Sequence, residues 1–430
     1  MKVSAIIKAS ALCLASAGTA FGAGFSLFED SAAGIGNPTY GAAKGGEPGA
    51  QFANPAAIAG LKGTQVQIGV AAVTPSFEVE GTNPYTGEEM KSYAKKKMYF
   101  IPHAYLTHEI NDELTLGVGF NARYGMGTAH KQDWFGRYNC YSSDMMTFGM
   151  TPVLAWQAND WLAISGGFTV QYFEITLKQK IDAANRTNNP NNPPALDVDQ
   201  VMSADSFGYG ANIGLVAKPV EGLAIGLAYH SRIKQSASGK AKYDKPPVVA
   251  GALAAQGMGG LFNDTGISGN ITLPDTIVTA VTYDFNERLT LGIGVTLQTW
   301  STYDELKIKF DEPVVGAYEV ASKKDWNNAL RYSVGGTYTL TDSWVVRASY
   351  IFDQSPSNSK YVDYIMPTGD RHILAFGLGY TTGAWTFDGA YFYEFVGDDK
   401  VPADPVHGLM PSEYVNGRAR CFALSATRRF

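Results

Sequence analysis

The stretch Leu114-Thr115-Leu116-Gly117-Val118-Gly119-Phe120-Asn121-Ala122-Arg123-Tyr124 reads LTLGVGFNARY. Every even position is apolar or aromatic, and the odd positions are Thr, Gly, Gly, Asn and Arg. Side chains alternate across a β-strand, so this is a strand with one greasy face and one small or polar face. The pattern recurs in Leu289 to Gln298, in Trp344-Val346-Ala348-Tyr350-Phe352 and in Leu374-Phe376-Leu378-Tyr380.

The connections between such segments decide the architecture. Short polar turns fall near Asn111-Asp112, Asn159-Asp160, Pro219 to Gly222, Asn286-Glu287, Thr341-Asp342 and Thr382-Gly383. Long connections fall at about 81–97, 127–145, 179–204, 237–266, 311–325, 357–368 and 397–416. Six short and seven long connections in strict alternation join fourteen strands, with both ends on the short-turn side. The expected fold is all-β: a 14-stranded antiparallel transmembrane β-barrel, with short turns on the periplasmic side and long loops outside. A soluble β-sandwich is the competing fold, but faces so rich in Gly, Ala, Ser and Thr could not form its dense core.

Composition agrees. Charged residues make up 17% of the 430-residue chain, below the roughly 25% of soluble proteins. Mean hydropathy is only −0.11, and beyond residue 22 no apolar run reaches the ~18 residues of a spanning helix. The formal net charge of −6 argues against a nucleic-acid partner. The final stretch, Phe422 to Phe430, alternates and ends on an aromatic.

The N-terminus reads as an export signal over residues 1–22. Lys2 and Lys8 form its basic start, Ala9 to Ala17 its apolar core, and Ala20-Phe21-Gly22 a small-x-small cleavage site. An amphipathic helix of the fold is the alternative. Loss of both lysines takes the net charge from −6 to −8. Cys140 and Cys421 then remain, and two unpaired thiols are expected rather than one disulfide.

Residues 23–62 lie outside the alternation, and residues 63–430 form the barrel. Fourteen strands enclose a lumen too wide for wall side chains to fill. The first segment carries Phe25, Leu27, Phe28, Ile35, Phe52, Ile58 and Leu61, which need burial. A plug of short helices in the lumen, a hatch, satisfies both needs; a loose periplasmic tail is the alternative. Asn54-Pro55-Ala56 fits a helix start, with Asn54 as cap and Pro55 in the first turn.

These features together resemble the FadL/TodX group of outer-membrane transporters for long-chain fatty acids and aromatic hydrocarbons. The resemblance rests on Ala23-Gly24-Phe25-Ser26-Leu27, the Gly-rich run after it, Asn54-Pro55-Ala56, fourteen strands and terminal Phe430. Tyr124-Gly125-Met126-Gly127-Thr128 followed by Trp134-Phe135-Gly136-Arg137-Tyr138 also resembles that group's third strand and next loop. The resemblance implies a hatch that closes the barrel and a kinked third strand that opens the wall sideways. Ligand would be captured outside, held within, and released laterally into the bilayer. It also implies that Phe25 contacts ligand, and the final strand ending in Phe430 resembles the assembly signal of bacterial outer-membrane barrels, which makes the barrel assembly machinery an expected partner.

The residues allow such a route. Gly125 and Gly127 bracket Met126 where the alternation stops, and glycine in a strand often marks a bulge. An ordinary strand end is the other possibility. The fourth long loop holds Val248, Leu253, Leu261 and Phe262 in a run too apolar for water, which suits a capture surface or packing on another loop. Alternation points Arg123, Arg331 and Arg347 into the lumen, with Asp388 and Glu394. Each arginine either holds a ligand carboxylate or pairs with such acids.

The expected partners are a hydrophobic small molecule, outer-membrane lipid and lipopolysaccharide. Barrel closure leaves no sheet edge, so a monomer is expected. The six histidines lack metal-ligand spacing and no G-x-S-x-G elbow occurs, so no metal, cofactor or catalytic role is expected. A general diffusion porin for small polar solutes is the rival function; a surface adhesin is another.

Overall fold

Strand alternation becomes wall geometry in the computed structural model, which describes residues 24–183 and 187–430. The expected export signal, residues 1–22, lies outside the described residues. Fourteen wall strands form one closed antiparallel barrel. The first strand, Thr64–Thr82, pairs with the last, Ser412–Arg429, from Gln65 opposite Arg429 to Gly81 opposite Ser412. This closing seam leaves no free sheet edge to attract another chain.

The two faces of each strand differ as the pattern requires. Leu116 and Phe120 are exposed on the outside, while Thr115 and Asn121 are buried toward the lumen. Trp156, Trp161, Trp344 and Trp385 ring the short-turn end, and Phe100, Tyr229, Tyr332 and Phe395 mark the other edge of the apolar band. Aromatic rings tolerate both hydrocarbon and water, which places these girdles at the two membrane interfaces.

On the outer side the strands run further than expected. The connection placed at 237–266 is mostly a hairpin: strands Ile233–Asp244 and Thr265–Leu273 leave only 245–264 for the loop and its helix, Pro247–Ala255. The connection placed at 311–325 is also a hairpin, Glu305–Val314 with Ala317–Lys323, standing above the wall. The sequence signal stopped where the outward face stops being apolar. The hydrogen-bond ladder continues into water with Lys234, Ser236, Ser238 and Lys240 outward.

The chain before Thr64 fills the lumen. It folds as helices Ala32–Gly36 and Pro38–Ala43 and 3-10 turns Pro48–Phe52 and Pro55–Ile58. Short polar side chains start three of these: Ser31, Asn37 and Asn54 accept from the amides of Gly34, Thr39 and Ala56. Each satisfies an amide that a helix start leaves unpaired. Proline opens two of the three, where its missing N–H costs nothing.

The hatch is fixed to the wall by apolar burial and a few directed bonds. Ala32 and Ile35 pack with Ala71, Ile373 and Phe392. Gly36 lies so close to wall residue Gly377 that a β-carbon on Gly36 would sit 3.0 Å from its Cα. The Ala32 amide donates to Ser425 Oγ at 2.9 Å, Asn37 Nδ2 to Thr337 Oγ1 at 3.0 Å, and Lys44 pairs with Asp284 at 2.5 Å. Asn54 also donates to the wall carbonyl of Leu215 at 3.0 Å. Cys140 and Cys421 are both free and buried.

Candidate functional site

The third wall strand is broken. It runs over Leu114–Asn121 and resumes at Gly125–Ala129. Its lower part pairs with Ala104–Glu109 of the second strand. Among the described residues its upper part pairs only with the fourth strand, so no ladder joins Gly125–Ala129 to Tyr99–His103. Alternation also fails here: Tyr124, expected on the greasy face, is buried and donates to the carbonyl of Pro274 at 3.2 Å.

The tip of the hatch occupies the break. The Leu27 amide donates to the carbonyl of Arg123 at 2.9 Å, and the Gly125 amide to that of Phe25 at 2.9 Å. Ser26 thereby bridges Tyr124 like a one-residue strand. Thr147 Oγ1 accepts from the Tyr124 amide at 3.1 Å and donates to its carbonyl at 2.8 Å. The backbone groups released by the break are thus satisfied by the hatch tip at Arg123 and Gly125 and by Thr147 of the fourth strand at Tyr124.

Phe25 lies in an aromatic box. Its ring centroid is 5.3 Å from Trp300, 5.5 Å from Tyr303 and 5.1 Å from Trp326. Met126, Met145, Phe173 and Met366 complete this apolar cluster. The contacts with Trp300 and Tyr303 are edge-to-face and add to the burial energy of the rings themselves.

Cavities lie on both sides of the box. Above it is a groove of about 810 Å³, lined by Leu177, Met202, Phe262, Ile308, Phe310 and Ile365, among others. Lys178, Lys323 and Lys360 also line it, as do Asp363 and Asp404. A narrow apolar cleft of about 50 Å³ shares Leu177, Met202, Leu306 and Ile308 with the groove and reaches Phe173. A smaller space of about 20 Å³ joins Ile365 and Tyr361 of the groove to Phe25 and Trp326. Below, a cavity of about 70 Å³ is lined by Leu27, Phe28, Phe52, Arg123, Tyr124 and Arg331, among others.

The lumenal arginines are held by partners. Arg123 donates to the carbonyl of Phe52 and lies 4.0 Å over that ring. Arg331 pairs with Asp353 at 3.0 Å and covers Phe28. Arg347 pairs with Asp388 at 2.8 Å. Arg371, absent from the sequence-based set, is fully buried between Asp353 at 2.9 Å and Glu394 at 3.3 Å. The alternation that located the other arginines places Arg371 inward too.

The greasy loop is divided between two roles. Val249, Leu253 and Phe262 pack on Val198, with Leu261 partly buried beside them. Of the four residues singled out there, only Phe262 also lines the groove, and Val248 is exposed. Trp300, Tyr303 and Trp326 carried no sequence signal, because they lie past strand ends where periodicity stops. Asn54, Pro55 and Ala56 sit at the bottom of the hatch, remote in sequence from Phe25 and against the wall at Leu215. Phe430 is exposed beside the closing seam, its amide donating to the Thr64 carbonyl at 2.9 Å.

Hatch carboxyls are buried with few cations near them. Burial pushes the Asp30 carboxyl well up, and the charge of Glu47 adds to this. Burial raises Glu47 as well, reinforced by Asp388 and opposed by hydrogen bonds from Ser31 and Gln67. Glu47 accepts from Ser31 Oγ at 2.6 Å and from Gln67 Nε2 at 2.5 Å. Among the described residues no cluster of His, Cys, Asp or Glu is placed to hold a metal ion.

The chain and its barrel are similar to known proteins. Residues 13–430 match the family model for outer membrane protein transport proteins, OMPP1/FadL/TodX. The chain is 25% identical over 387 residues to a 47 kDa outer membrane protein of Pasteurella multocida, covering 88% of each. It is 24% identical over 381 residues to a long-chain fatty acid transport protein of Escherichia coli O6:H1, covering 84% of each. The solved structure of a Pseudomonas aeruginosa FadL homologue superposes with a TM-score of 0.83 at 25% identity, covering 95% of this chain and all of that one. The Pseudomonas putida toluene transporter TodX shares the fold, with a TM-score of 0.65 at 16% identity over 89% of this chain and 94% of that one. The chain belongs to the OMPP1/FadL/TodX family, and is a multi-pass outer-membrane transport protein rather than an enzyme.

Proposed function

We propose that this barrel takes up hydrophobic small molecules, of the class of long-chain fatty acids or aromatic hydrocarbons, and releases them sideways through the broken third strand. The observation that carries this reading is the run of shared apolar walls from the outer groove, past Phe25, to the break at Ala122–Tyr124. Ligand enters at the groove, where Phe262 and its neighbours replace water. Movement of the Phe25–Leu27 tip would free both the aromatic box and the gap beside Tyr99–His103. The exit then opens to the bilayer, the phase in which such a ligand dissolves.

Magnitudes favour apolar contact as the source of affinity. Each buried CH₂ contributes ~0.8 kcal/mol, so a chain of ~15 gains ~12 kcal/mol before the costs of binding. A neutral hydrogen bond nets only ~1 kcal/mol. Lys178, Lys323 and Lys360 in the groove support a ligand with an anionic head over a neutral hydrocarbon. In the lumen Arg331 and Arg347 are already paired, so a ligand carboxylate there would have to displace Asp353 or Asp388.

Two measurements test this. Cells expressing the protein should take up a radiolabelled long-chain fatty acid faster than cells lacking it, and faster than they take up a polar solute of equal size. Planar-bilayer recordings should show little steady conductance. A large permanent conductance with polar-solute leakage would mean a diffusion porin instead.

A further inference from the structure

The outer face of the last strand carries two arginines that the transport route does not use. Arg418 and Arg420 are exposed and alternate in phase with Phe422 and Leu424, which face lipid. Their cross-strand neighbours are aromatic: Phe395 stands opposite Arg418, and Tyr393 opposite Arg420. The Arg420 guanidinium lies 5.6 Å over the Tyr393 ring, which fixes its direction. On the other side stand Ser76 and Thr74, neither charged.

Their height is set by the strand itself. Arg428, at the short-turn end, lies 5.3 Å over Trp385 of the periplasmic girdle. Eight residues of tilted strand between Arg428 and Arg420 rise about 20 Å, close to the height of the apolar band of such barrels. Arg418 and Arg420 therefore stand at the outer edge of that band, level with headgroups of the outer leaflet. Neither forms an ion pair with a described acid, because the outward carboxylates of the neighbouring strand, Glu78 and Glu80, are held by Lys91 at 2.6 and 2.5 Å.

We infer that Arg418 and Arg420 form a docking site for the phosphorylated glycolipid of the outer leaflet. One phosphate lies between the two guanidinium groups, and the acyl chains run down along Phe422 and Leu424. The fork of an arginine matches phosphate oxygens in pairs, and two arginines two residues apart on one face can share a dianion. A zwitterionic phospholipid offers only a singly charged, screened phosphate at this position.

The test uses the purified full chain in mild detergent, with binding of rough lipopolysaccharide read by native mass spectrometry. Each charge at the membrane surface is worth roughly fivefold in affinity, so Arg418→Gln with Arg420→Gln should lose roughly 25-fold. Arg428→Gln, on the periplasmic edge, should change binding less than twofold by the same reckoning, being out of reach. Enzymatic removal of the glycolipid phosphates should abolish the difference between wild type and the double variant. Unchanged binding in the double variant would overturn the inference. So would equal competition by phosphatidylglycerol, which would mark the site as a general anionic-lipid contact. Heat-modifiable gel mobility confirms that each variant is a folded barrel.

Discussion

The amide of Gly125 donates to the carbonyl of Phe25 at 2.9 Å, so the wall's third strand is completed at its break by the tip of the plug. The bond couples two things that would otherwise be independent: closure of the lumen and closure of the wall. Tip withdrawal removes the partner of Gly125 and, with it, that of the Arg123 carbonyl. Each unpaired group would then need water or another partner.

Gly127 should control the gap directly. A β-carbon there would meet the Tyr99 hydroxyl at 2.6 Å and its ring at 2.7 Å, and Tyr99 stands on the strand that faces the break. Gly127→Val fills the space between the two sides at an overpacking cost of ~1–3 kcal/mol, below the ~5–15 kcal/mol that unfolds a typical protein. We expect uptake of a labelled fatty acid to fall at least tenfold while surface expression stays unchanged. Normal uptake by this variant would remove the lateral route.

The contact between Gly36 and Gly377 should control the seat of the hatch. Each glycine's missing β-carbon would lie 3.0–3.2 Å from the other's Cα, and two backbones cannot yield as a flexible side chain can. Gly377→Val should push helix Ala32–Gly36 off the wall while leaving the strand ladder intact. The expected readout is a rise in single-channel conductance and faster trypsin cleavage before Thr64. An unchanged conductance would mean that the lumen stays closed without this contact.

The wall was legible because lipid and lumen demand opposite side chains on alternate residues, as in Leu116 against Thr115. Strand ends on the outside were not, since beyond the membrane Lys234 and Lys240 satisfy a ladder as well as leucine does. The plug showed as a segment with apolar residues but no period, from Phe25 to Leu61. Lumenal charges followed from phase alone, which is why Arg331 and Arg347 could be placed and Arg371 could have been. The aromatic box could not be seen: Phe25, Trp300 and Trp326 meet only through the closed barrel, and no local pattern brings them together.

Arg371 should be a structural centre of the lumen. It is fully buried between Asp353 and Glu394, whose side chains are also fully buried. Loss of one member of such a group costs ~3–5 kcal/mol, because it leaves buried charge without a partner. Arg371→Met should lower the urea midpoint of the reconstituted barrel markedly. The double change Arg371→Met, Glu394→Gln, which leaves Asp353 paired with Arg331, should recover much of that loss. A double variant no more stable than the single one would mean that lost packing, and not stranded charge, causes the damage.

Hatch docking should weaken as pH rises. Asp30 and Glu47 are buried carboxyls whose proton affinity is raised above its ordinary value, chiefly by desolvation, with the charge of Glu47 adding to the rise at Asp30 and that of Asp388 to the rise at Glu47. A carboxyl whose docked-state pKa is raised binds more protons docked than undocked. Its contribution to docking is therefore complete below the ordinary carboxylate pKa and is lost as pH rises through the raised value. Gly41 offers a reporter position, since nothing lies within 4 Å of its missing β-carbon, and Cys140 and Cys421 are buried away from reagent. A nitroxide on Gly41→Cys should show a growing mobile fraction as pH goes from mildly acid to alkaline. Asp30→Asn keeps the docked hydrogen bonding of a neutral group and should flatten that profile, holding the label immobile at alkaline pH. Mobility that instead rises toward acid pH would mean that the charged forms hold the hatch, and that the attraction of Arg123 for Asp30 and of Arg347 for Glu47 outweighs their burial.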